Sequence, residues 1–273
     1  MVLRIASYNI RHGHDVDLDM AVLAQDILAT GADIVGLQEV DVCTSRVHGC
    51  DTLAQLATAL GWEHYRFCRA IDFAGGGYGT AILSRYPISS FEITHFDVPA
   101  PFEGRATGHA VIDADGERVD FFNTHLSYES DELRADQFAA WASLVSHSPA
   151  WILTGDFNTA DLAHFSVLGD ALLANPGRYP TFPASGEGID NIVCASPWHI
   201  ANTGVLQNHH SDHLLLWAEL TKPRSRAGVE PNCPRAIHFR IFRRAFTRKI
   251  GILLRKIPPK SIKNAFALGC EQF

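Results

Sequence analysis

Short apolar runs of strand length alternate along the chain with longer stretches in which apolar residues recur at helical spacing. The strand-like runs cover residues 3–10, 32–40, 80–88, 109–126, 149–158, 189–195 and 213–220. Helices are predicted at 19–31, 51–62 and 130–147, the first two ending near a glycine. Asp115-Gly116 divides the longest run into a hairpin. This alternation predicts an α/β fold with layers and a mixed sheet.

The composition predicts a folded protein. The chain has 273 residues, of which 47% are hydrophobic and 19% are charged, and this supplies enough apolar material for a large core. No apolar stretch approaches the roughly 20 residues that span a bilayer, and the N-terminus lacks a signal-peptide pattern. We therefore expect a cytoplasmic protein that is soluble or associates with a membrane only at its surface.

The six cysteines form no Cys-x-x-Cys pair, which argues against structural zinc and against a dithiol redox motif. Only Cys43 and Cys50 are close enough in sequence for a local disulfide, and a cytoplasmic location disfavours one. We expect most of the cysteines to be reduced packing residues.

Charge divides the chain into two parts. Residues 1–221 contain 10 Lys and Arg against 28 Asp and Glu, a net charge of −18, whereas residues 222–273 contain 13 and 2, a net charge of +11. Residues 222–235 begin at Lys222-Pro223, are rich in proline and charge, and are interpreted as a linker. The predicted organisation is an acidic body (1–221), a linker (222–235) and a basic tail (236–273).

The basic tail has the pattern of an amphipathic helix over residues 236–257. Apolar side chains three or four positions apart fall on one face: Phe239, Phe242, Phe246, Ile250, Leu253 and Ile257. Arginines fall opposite: Arg240, Arg244, Arg248 and Arg255. The pattern is typical of an anchor on an anionic membrane surface. The alternatives are packing of this face on the body and binding of nucleic acid or a partner protein.

Polar residues stand at the ends of six of the apolar runs. They are Asn9, Glu39, His125, Asp156 with Asn158, Asp190, and Asp212 with His213. A single aspartate after a strand is usually a turn or a helix cap. Six segments together favour a functional site, because ligands in layered α/β folds bind where strand ends and their loops converge.

The segments that carry these residues resemble the endonuclease/exonuclease/phosphatase superfamily of metal-dependent phosphohydrolases. The motifs are "SYNIRHG", "LQEV", "THL", "GDFN", "IDNI" and "SDH", in the order and spacing of that family over about residues 3–221. "VDVCTSRVHGCD" and "GYGTAILSRYPI" are similar to its small bacterial members. The resemblance implies a catalytic domain with a four-layer α/β/β/α sandwich, in which two mixed sheets are flanked by helices and the site lies at one edge.

Phosphate-ester hydrolysis needs charge neutralisation on the phosphoryl oxygens, an in-line water and stabilisation of the leaving oxygen. Hard oxygen ligands suit Mg²⁺, with Mn²⁺ as the alternative. Glu39 is the first-choice metal ligand, Asn9 binds the metal or a phosphate oxygen, and Asp212 adds a further or supporting carboxylate. The histidines at 209–213 lack a zinc ligand pattern such as His-Glu-x-x-His, which disfavours zinc.

The remaining polar residues are assigned to acid–base and phosphate roles. Asp156 orients or deprotonates the attacking water, and Asn158, expected on the same side of an extended segment, holds a phosphoryl oxygen. Asp190 fixes the tautomer of His213 and favours its charged form. His125 donates to a phosphate oxygen. Whether Asp156 or His213 is the base stays open.

Arg105, in "FEGRATG", matches an arginine of the family, and anchoring phosphate or pairing with a buried acid are equal alternatives. The glycines in "GGGYG" at 75–79 are expected in a turn, because a phosphate loop would need a lysine and a following helix. There are two departures from the family pattern. Gly77 and Thr80 stand where many close relatives have a glutamate and an asparagine, so an acid that would orient His125 is missing. Arg11 stands where the apurinic-site nucleases have an aspartate, which disfavours a second metal at that point.

Three function classes follow. A body of net charge −18 repels nucleic acid, so a phosphoesterase or phosphodiesterase for small-molecule or lipid head-group phosphates is favoured. A metal-dependent endonuclease or exonuclease is the second hypothesis, and a non-catalytic lipid- or protein-binding module is the third. The sequence does not identify the substrate, decide between monoester and diester, or indicate an oligomeric state.

Overall fold

The structure, a computed structural model, describes residues 1–146, 148 and 150–223. The predicted tail and all of the linker beyond Pro223 lie outside the described residues. Among those described, no helix has both the length and the apolar character needed to cross a bilayer.

Twelve strands form two six-stranded sheets. In chain order they are β1 (Val2–Asn9), β2 (Ile34–Val42), β3 (His64–Phe73), β4 (Gly76–Ser84), β5 (Ile88–His95), β6 (Ala106–Ala114), β7 (Glu117–His125), β8 (Trp151–Asp156), β9 (Leu172–Leu173), β10 (Asp190–Cys194), β11 (His199–Leu206) and β12 (Leu215–Thr221). The first sheet has the order β11-β12-β1-β2-β4-β3, and the second β5-β6-β7-β8-β10-β9. Each sheet is mixed, because β1 with β2 and β7 with β8 are parallel pairs among antiparallel ones.

Three α-helices connect the strands: α1 (Met20–Thr30), α2 (Thr52–Leu60) and α3 (Asp131–Val145). Short 3₁₀ segments lie at Arg11–Val16, Ser45–Val47 and Leu162–Leu168. Asp19, Asp51 and Ser130 cap the α-helices by accepting a hydrogen bond from a backbone N–H of the first turn. Gly31 and Gly61 end α1 and α2 with φ of 68° and 70°. All three predicted helices are confirmed.

The layers follow from three apolar clusters. The first lies between α1, α2 and the outer face of the first sheet and includes Leu23, Ile27, Val35, Leu37 and Leu56. The second lies between the two sheets and includes Ile5, Ile34, Phe121 and Ile152. The third lies between α3 and the second sheet and includes Phe122, Phe138, Trp141 and Leu153. The four-layer α/β/β/α sandwich is therefore confirmed.

The strands that the apolar pattern missed are the four edge strands, β3, β5, β9 and β11. An edge strand is partly exposed and carries polar residues on much of its surface: seven of the eight residues of β5 are exposed or half-buried. The pattern of apolar runs therefore identifies the central strands only.

The glycine-rich segment at 75–79 is mainly strand, and its prediction as a turn is wrong in part. Gly75 lies in the hairpin between β3 and β4, with φ of 83°, but Gly76, Gly77 and Gly79 lie inside β4. A Cβ at Gly76 would collide with the Val42 carbonyl oxygen. These glycines allow close approach of neighbouring strands.

Two smaller predictions concern cysteines and the body boundary. Cys43 and Cys50 carry free thiols, and Cys68 and Cys194 are buried without a disulfide. The pairing of β12 with β1 continues one residue past the predicted boundary, since the Lys222 N–H donates to the Met1 carbonyl at 3.0 Å.

Candidate active site

Three of the predicted site residues lie side by side on neighbouring strands of the second sheet. His125 of β7 is the register partner of Asp156 of β8, and Asp156 is the partner of Asp190 of β10. All three side chains are buried. Adjacent register partners point to the same face of a sheet, so these three strand ends bring the groups together.

His213 completes this group from the loop before β12. Its Nδ1 lies 2.8 Å from Asp190 Oδ2, and its Nε2 lies 3.6 Å from Asp156 Oδ2. Burial alone would lower the pKa of His213, but the carboxylates of Asp190 and Asp156 outweigh it and raise the pKa to about 10. The imidazole is therefore a cation at neutral pH, and its two nitrogens face Asp190 and Asp156.

Asp156 is held by two donors. Asn9 Nδ2 donates to its Oδ2 at 3.0 Å, and the Asn158 backbone N–H donates to its Oδ1 at 2.9 Å. Burial, reinforced by the charge of Asp190, raises the pKa of Asp156 above its usual range. A carboxylate with a raised pKa is a stronger proton acceptor than an exposed one.

Glu39 reaches the site from the first sheet through an irregular strand. The pairing of β2 with β4 shifts register between Leu37 and Val40, and Glu39 has φ of 55°, the backbone geometry of a bulge. Asn9 Nδ2 donates to Glu39 Oε1 at 3.1 Å. One amide therefore joins an acid of the first sheet to Asp156 of the second.

The buried side-chain amide of Asn123 forms hydrogen bonds with backbone carbonyls beside the bulge in β2. Asn123 of β7 donates to the carbonyl oxygens of Leu37, at 2.7 Å, and Ala81, at 2.9 Å. It accepts from Gln38 Nε2 at 2.8 Å and from Thr154 Oγ1 at 3.0 Å. The sequence analysis missed this cross-sheet clamp, although polar residues inside the apolar runs "FFNTHL" and "AWILTG" were a usable signal.

Asn158 lies beside Asp156, but for a different reason from the one predicted. Strand β8 ends at Asp156, and Asn158 has φ of 52°, a left-handed conformation that asparagine tolerates. The extended geometry assumed for this pair is therefore wrong. Asn158 Nδ2 donates to the Leu126 carbonyl at 2.9 Å, which leaves its second amide N–H for a ligand.

His125 and Arg105 occupy the β6–β7 side of the site. His125 Nε2 lies 3.5 Å from Asp156 Oδ2, and burial, followed by the charges of Arg105 and His213, lowers its pKa well below the usual range. It is therefore a neutral donor. Arg105 is buried and its Nη1 lies 2.9 Å from Glu103 Oε1, which is the acid-pairing alternative, and its buried Nε has no partner among the described residues.

Asp212 contacts Arg11 and Ser211. Its Oδ2 lies 3.5 Å from Arg11 Nε, and Ser211 Oγ lies 3.3 Å from its Oδ1. Arg11 therefore places a positive charge beside Asp212. The predicted metal role of Asp212 stays a prediction.

The loop that carries Asp212 and His213 is anchored to α1 by residues that the sequence analysis did not select. Asp26 accepts from Asn208 Nδ2 at 2.8 Å and lies 3.0 Å from His210 Nδ1. Ser211 Oγ donates to the Asn9 backbone carbonyl at 2.7 Å. Asp26 is buried in α1. An acid among the apolar residues of a predicted amphipathic helix was the sequence signal that could have identified it.

Gly77 and Thr80, the two residues that differ from the expected pattern, lie on opposite faces of β4. A Cβ at Gly77 would lie 2.6 Å from Arg69 Nε, on the face of β4 opposite Tyr78 and Thr80. Thr80 Oγ1 is buried without a hydrogen-bond partner among the described residues. No acid at position 77 supports His125, whose contact is with Asp156.

Two groups of side chains have the donors for a divalent cation. Glu39, about a quarter exposed, lies with Asn9 at the open side. Asp156, Asp190 and His213 offer atoms within 4.8 Å of one another, all buried, and Asp190 Oδ1 has no partner among the described residues. Oxygen donors fit Mg²⁺ or Mn²⁺. Glu39 is the more accessible ligand, because it is partly exposed whereas the other three side chains are buried.

A separate groove of about 780 Å³ lies on the outer face of β5–β7 beside α3. Its lining includes Glu92, His109, Arg118, Asp120 and Ser143 and contains none of the predicted site residues. The convergence of titratable groups, not cavity size, therefore locates the site.

The sequence matches the model of the Endonuclease/Exonuclease/phosphatase family over residues 6–213. This range includes every residue predicted for the site. None of the curated proteins compared matches the chain.

Solved structures share the fold at low sequence identity. An endonuclease/exonuclease/phosphatase from Beutenbergia cavernae has a TM-score of 0.71 and 22% identity over 81% of this chain and 72% of its own. A mannosyl-6-phosphatase from Bacteroides thetaiotaomicron has a TM-score of 0.65 and 20% sequence identity, over 80% of this chain and 99% of its own. TDP2 from D. rerio, solved with a single-strand DNA product, has a TM-score of 0.65 and 17% sequence identity, over 81% of this chain and 99% of its own.

Proposed function

Because the chain belongs to the Endonuclease/Exonuclease/phosphatase family and is therefore a phosphoester hydrolase, we propose that it performs Mg²⁺-dependent hydrolysis of small-molecule or lipid head-group phosphates. The observation that carries this proposal is the contact of Asn9 with both Glu39 and Asp156, beside the His213–Asp190 pair. A candidate metal ligand, a candidate base and a cation thus lie together, as phosphoryl transfer requires.

Proton transfer is assigned to the second sheet. Asp156 accepts the proton of the attacking water, because its pKa is raised whereas His213 is already protonated. The His213 cation, held by Asp190, stabilises negative charge on the phosphoryl group. Asn158 and neutral His125 each donate a hydrogen bond to a phosphoryl oxygen. In this proposal Asp156, and not His213, is the base.

Metal binding is assigned to Glu39, with Asn9 and Asp212 as supporting oxygens. A bound Mg²⁺ would polarise the phosphoryl oxygens and stabilise the leaving oxygen. Mn²⁺ has the same preference for oxygen ligands and is the alternative.

The arginines of the body support a small substrate. Eight of the ten pair with an acid within 4.0 Å: Arg4, Arg11, Arg46, Arg69, Arg85, Arg105, Arg118 and Arg134. A nucleic-acid polyanion needs a groove of uncompensated positive charge. A nuclease, the activity class suggested by the DNA product bound to TDP2, is therefore the second candidate.

Membrane association is proposed on the sequence pattern of residues 236–257 alone. An apolar face opposite arginines would bring a phosphoesterase to an anionic surface, where lipid head groups are available as substrates.

The proposed function is tested by measuring turnover of a phosphomonoester and phosphodiester panel, plasmid DNA and RNA with and without Mg²⁺. Glu39→Gln removes the charge that holds the metal, and Asp156→Asn removes the proton acceptor, so each is expected to lower turnover by about 10²–10³. Glu92→Gln, on edge strand β5, is the matched control and should be fully active.

Full activity in excess chelator, or in both Glu39→Gln and Asp156→Asn, would contradict this mechanism. Turnover confined to DNA or RNA would select the nuclease, and no turnover on any substrate would favour a binding module.

A further inference from the structure

Arg46 has an unused hydrogen-bonding edge. Its Nε and Nη2 donate to the two carboxylate oxygens of Asp41, each at 2.8 Å. Asp41 is completely buried, whereas 34% of the Arg46 side chain is exposed. A guanidinium has five N–H groups in a planar fork, so this pairing leaves both N–H groups of Nη1 and one of Nη2. Within the described part of the chain, no hydrogen bond occupies Nη1.

The orientation of this edge is fixed before any ligand binds. The Arg46 guanidinium carbon lies 4.8 Å from the ring centre of Phe73 and 5.4 Å from that of Tyr78. Thr44 Oγ1 donates to Asp41 Oδ2 at 2.6 Å and holds the carboxylate beneath it. A charged group fixed by an ion pair and two aromatic rings loses little conformational freedom on binding.

Arg46 lies on the Glu39 side of the site. Arg46 stacks on Tyr78, and the register partner of Tyr78 on β2 is Asp41, the carboxylate that Arg46 binds. Glu39 stands two positions before Asp41 on the same strand. Arg46 therefore lies beside the part of β2 that carries the predicted metal ligand.

We propose that the Nη1–Nη2 edge of Arg46 binds a second anionic group of the substrate, a phosphate or a carboxylate, separate from the phosphate that is hydrolysed. The inference rests on the proposed function, which places the scissile phosphate against Asn9 and Asp156. A guanidinium edge matches the two oxygens of either anion, and such charge-assisted pairs are the strongest hydrogen bonds of proteins. The preferred substrates are then phosphate esters with two anionic groups.

The test uses non-hydrolysable phosphonates, so that binding is measured apart from turnover. Alkylphosphonic acids are compared with α,ω-alkanediphosphonic acids and ω-phosphonoalkanoic acids of matched chain length, by calorimetry on the full-length protein with Mg²⁺. At one or more lengths a diacid is expected to bind about tenfold more tightly than the matched monoacid. The diphosphonic and phosphonocarboxylic series separate a phosphate from a carboxylate.

Arg46→Gln is expected to abolish the preference for the diacid. Since this change leaves the Asp41 carboxylate buried without its partner, the double variant Asp41→Asn/Arg46→Gln is measured beside it, each with a melting curve. Arg85→Gln is the matched control, because Arg85 also pairs with an acid, Asp33 at 3.6 Å, and stacks on Trp62, at the opposite end of β4. It should keep the preference.

The proposal is overturned if wild-type protein binds diacids no more tightly than monoacids, or if folded Arg46→Gln or the double variant keeps the preference. Hydrolysis is scored independently: a diacid preference without turnover would contradict the proposed function and leave this anion site intact.

Discussion

The side-chain amide of Asn9 keeps two carboxylates of different sheets close together. Its Nδ2 donates to Glu39 at 3.1 Å and to Asp156 at 3.0 Å, and its Oδ1 accepts from the Arg11 backbone N–H at 3.1 Å. Two carboxylates in a buried site repel each other unless donors lie between them. A neutral group with two N–H donors and one acceptor meets all three demands, whereas an acid of the same shape does not.

Asn9→Asp is expected to disrupt the site while keeping the side-chain volume. The new carboxylate replaces a donor and repels both Glu39 and Asp156, so turnover should fall by about 10²–10³. Steady-state kinetics and a Mg²⁺ titration measure the effect, with Asn202→Asp on the exposed edge strand β11 as the control. Turnover within threefold of wild type would show that the Asn9 amide is not needed.

At the residue scale, the sequence predicted which side chains lie close together better than it predicted their geometry. Asn9 and Asp156 stand where apolar runs end, so their convergence could be inferred from the fold class alone. The left-handed conformation of Asn158 and the contact of Asp212 with Arg11 depend on loop backbone, which follows no hydrophobic period. The sequence pattern could therefore predict neither the conformation of Asn158 nor the contact of Asp212.

The bulge in β2 and the amide of Asn123 act as one structural element. The shift in register that places Glu39 at the site leaves the Leu37 and Ala81 carbonyls to an amide of the opposite sheet. Gly36 permits the close approach, since a Cβ there would overlap Thr154 Oγ1. Stability and the position of a candidate metal ligand therefore depend on the same contacts.

Asn123→Ala is expected to destabilise the fold by roughly 3–5 kcal/mol, because it leaves buried carbonyl and amide groups unpaired at roughly 1–3 kcal/mol each. Urea unfolding measures the change in the free energy of unfolding. Asn202→Ala, at an exposed position, is the control and should change it by less than about 0.5 kcal/mol. A loss below about 1 kcal/mol for Asn123→Ala would mean that the clamp contributes little.

At the scale of helices and strands, the buried elements were predicted from the sequence and the partly exposed ones were not. Central strands and capped helices were recognised because apolar period and capping residues agree, but the edge strands β3 and β11 have no strong apolar run. The bulge at Glu39 had no sequence signal of its own, because the carbonyl of Leu37 is paired by Asn123, 86 positions further along the chain.

At the scale of the whole molecule, charge is separated along the chain. The body carries −18 and residues 222–273 carry +11. Within the body most arginines are already paired with acids, so attraction to polyanions or anionic surfaces is assigned to the second part. Under the membrane proposal, catalysis and localisation belong to different segments.

The full-length protein is expected to sediment with vesicles that contain anionic lipid and to lose affinity as salt is added, because each Lys or Arg near the surface contributes about 1 kcal/mol of screened attraction. Phe242→Asp with Phe246→Asp should abolish sedimentation even at low salt while leaving hydrolysis of a soluble substrate unchanged. Vesicles that leave the wild-type protein in the supernatant would contradict the membrane proposal.

The register that aligns His125, Asp156 and Asp190 across three strands also limits which changes of length this chain can accept. Along a strand, side chains alternate between faces, so one residue inserted into β8 would turn Asp156 away from its two partners. Single substitutions change the chemistry of one position, but a length change inside these strands removes the whole row at once. Insertions in the loops and exchanges at positions such as Arg46 leave the row in place, so we expect changes in substrate preference to be tolerated there.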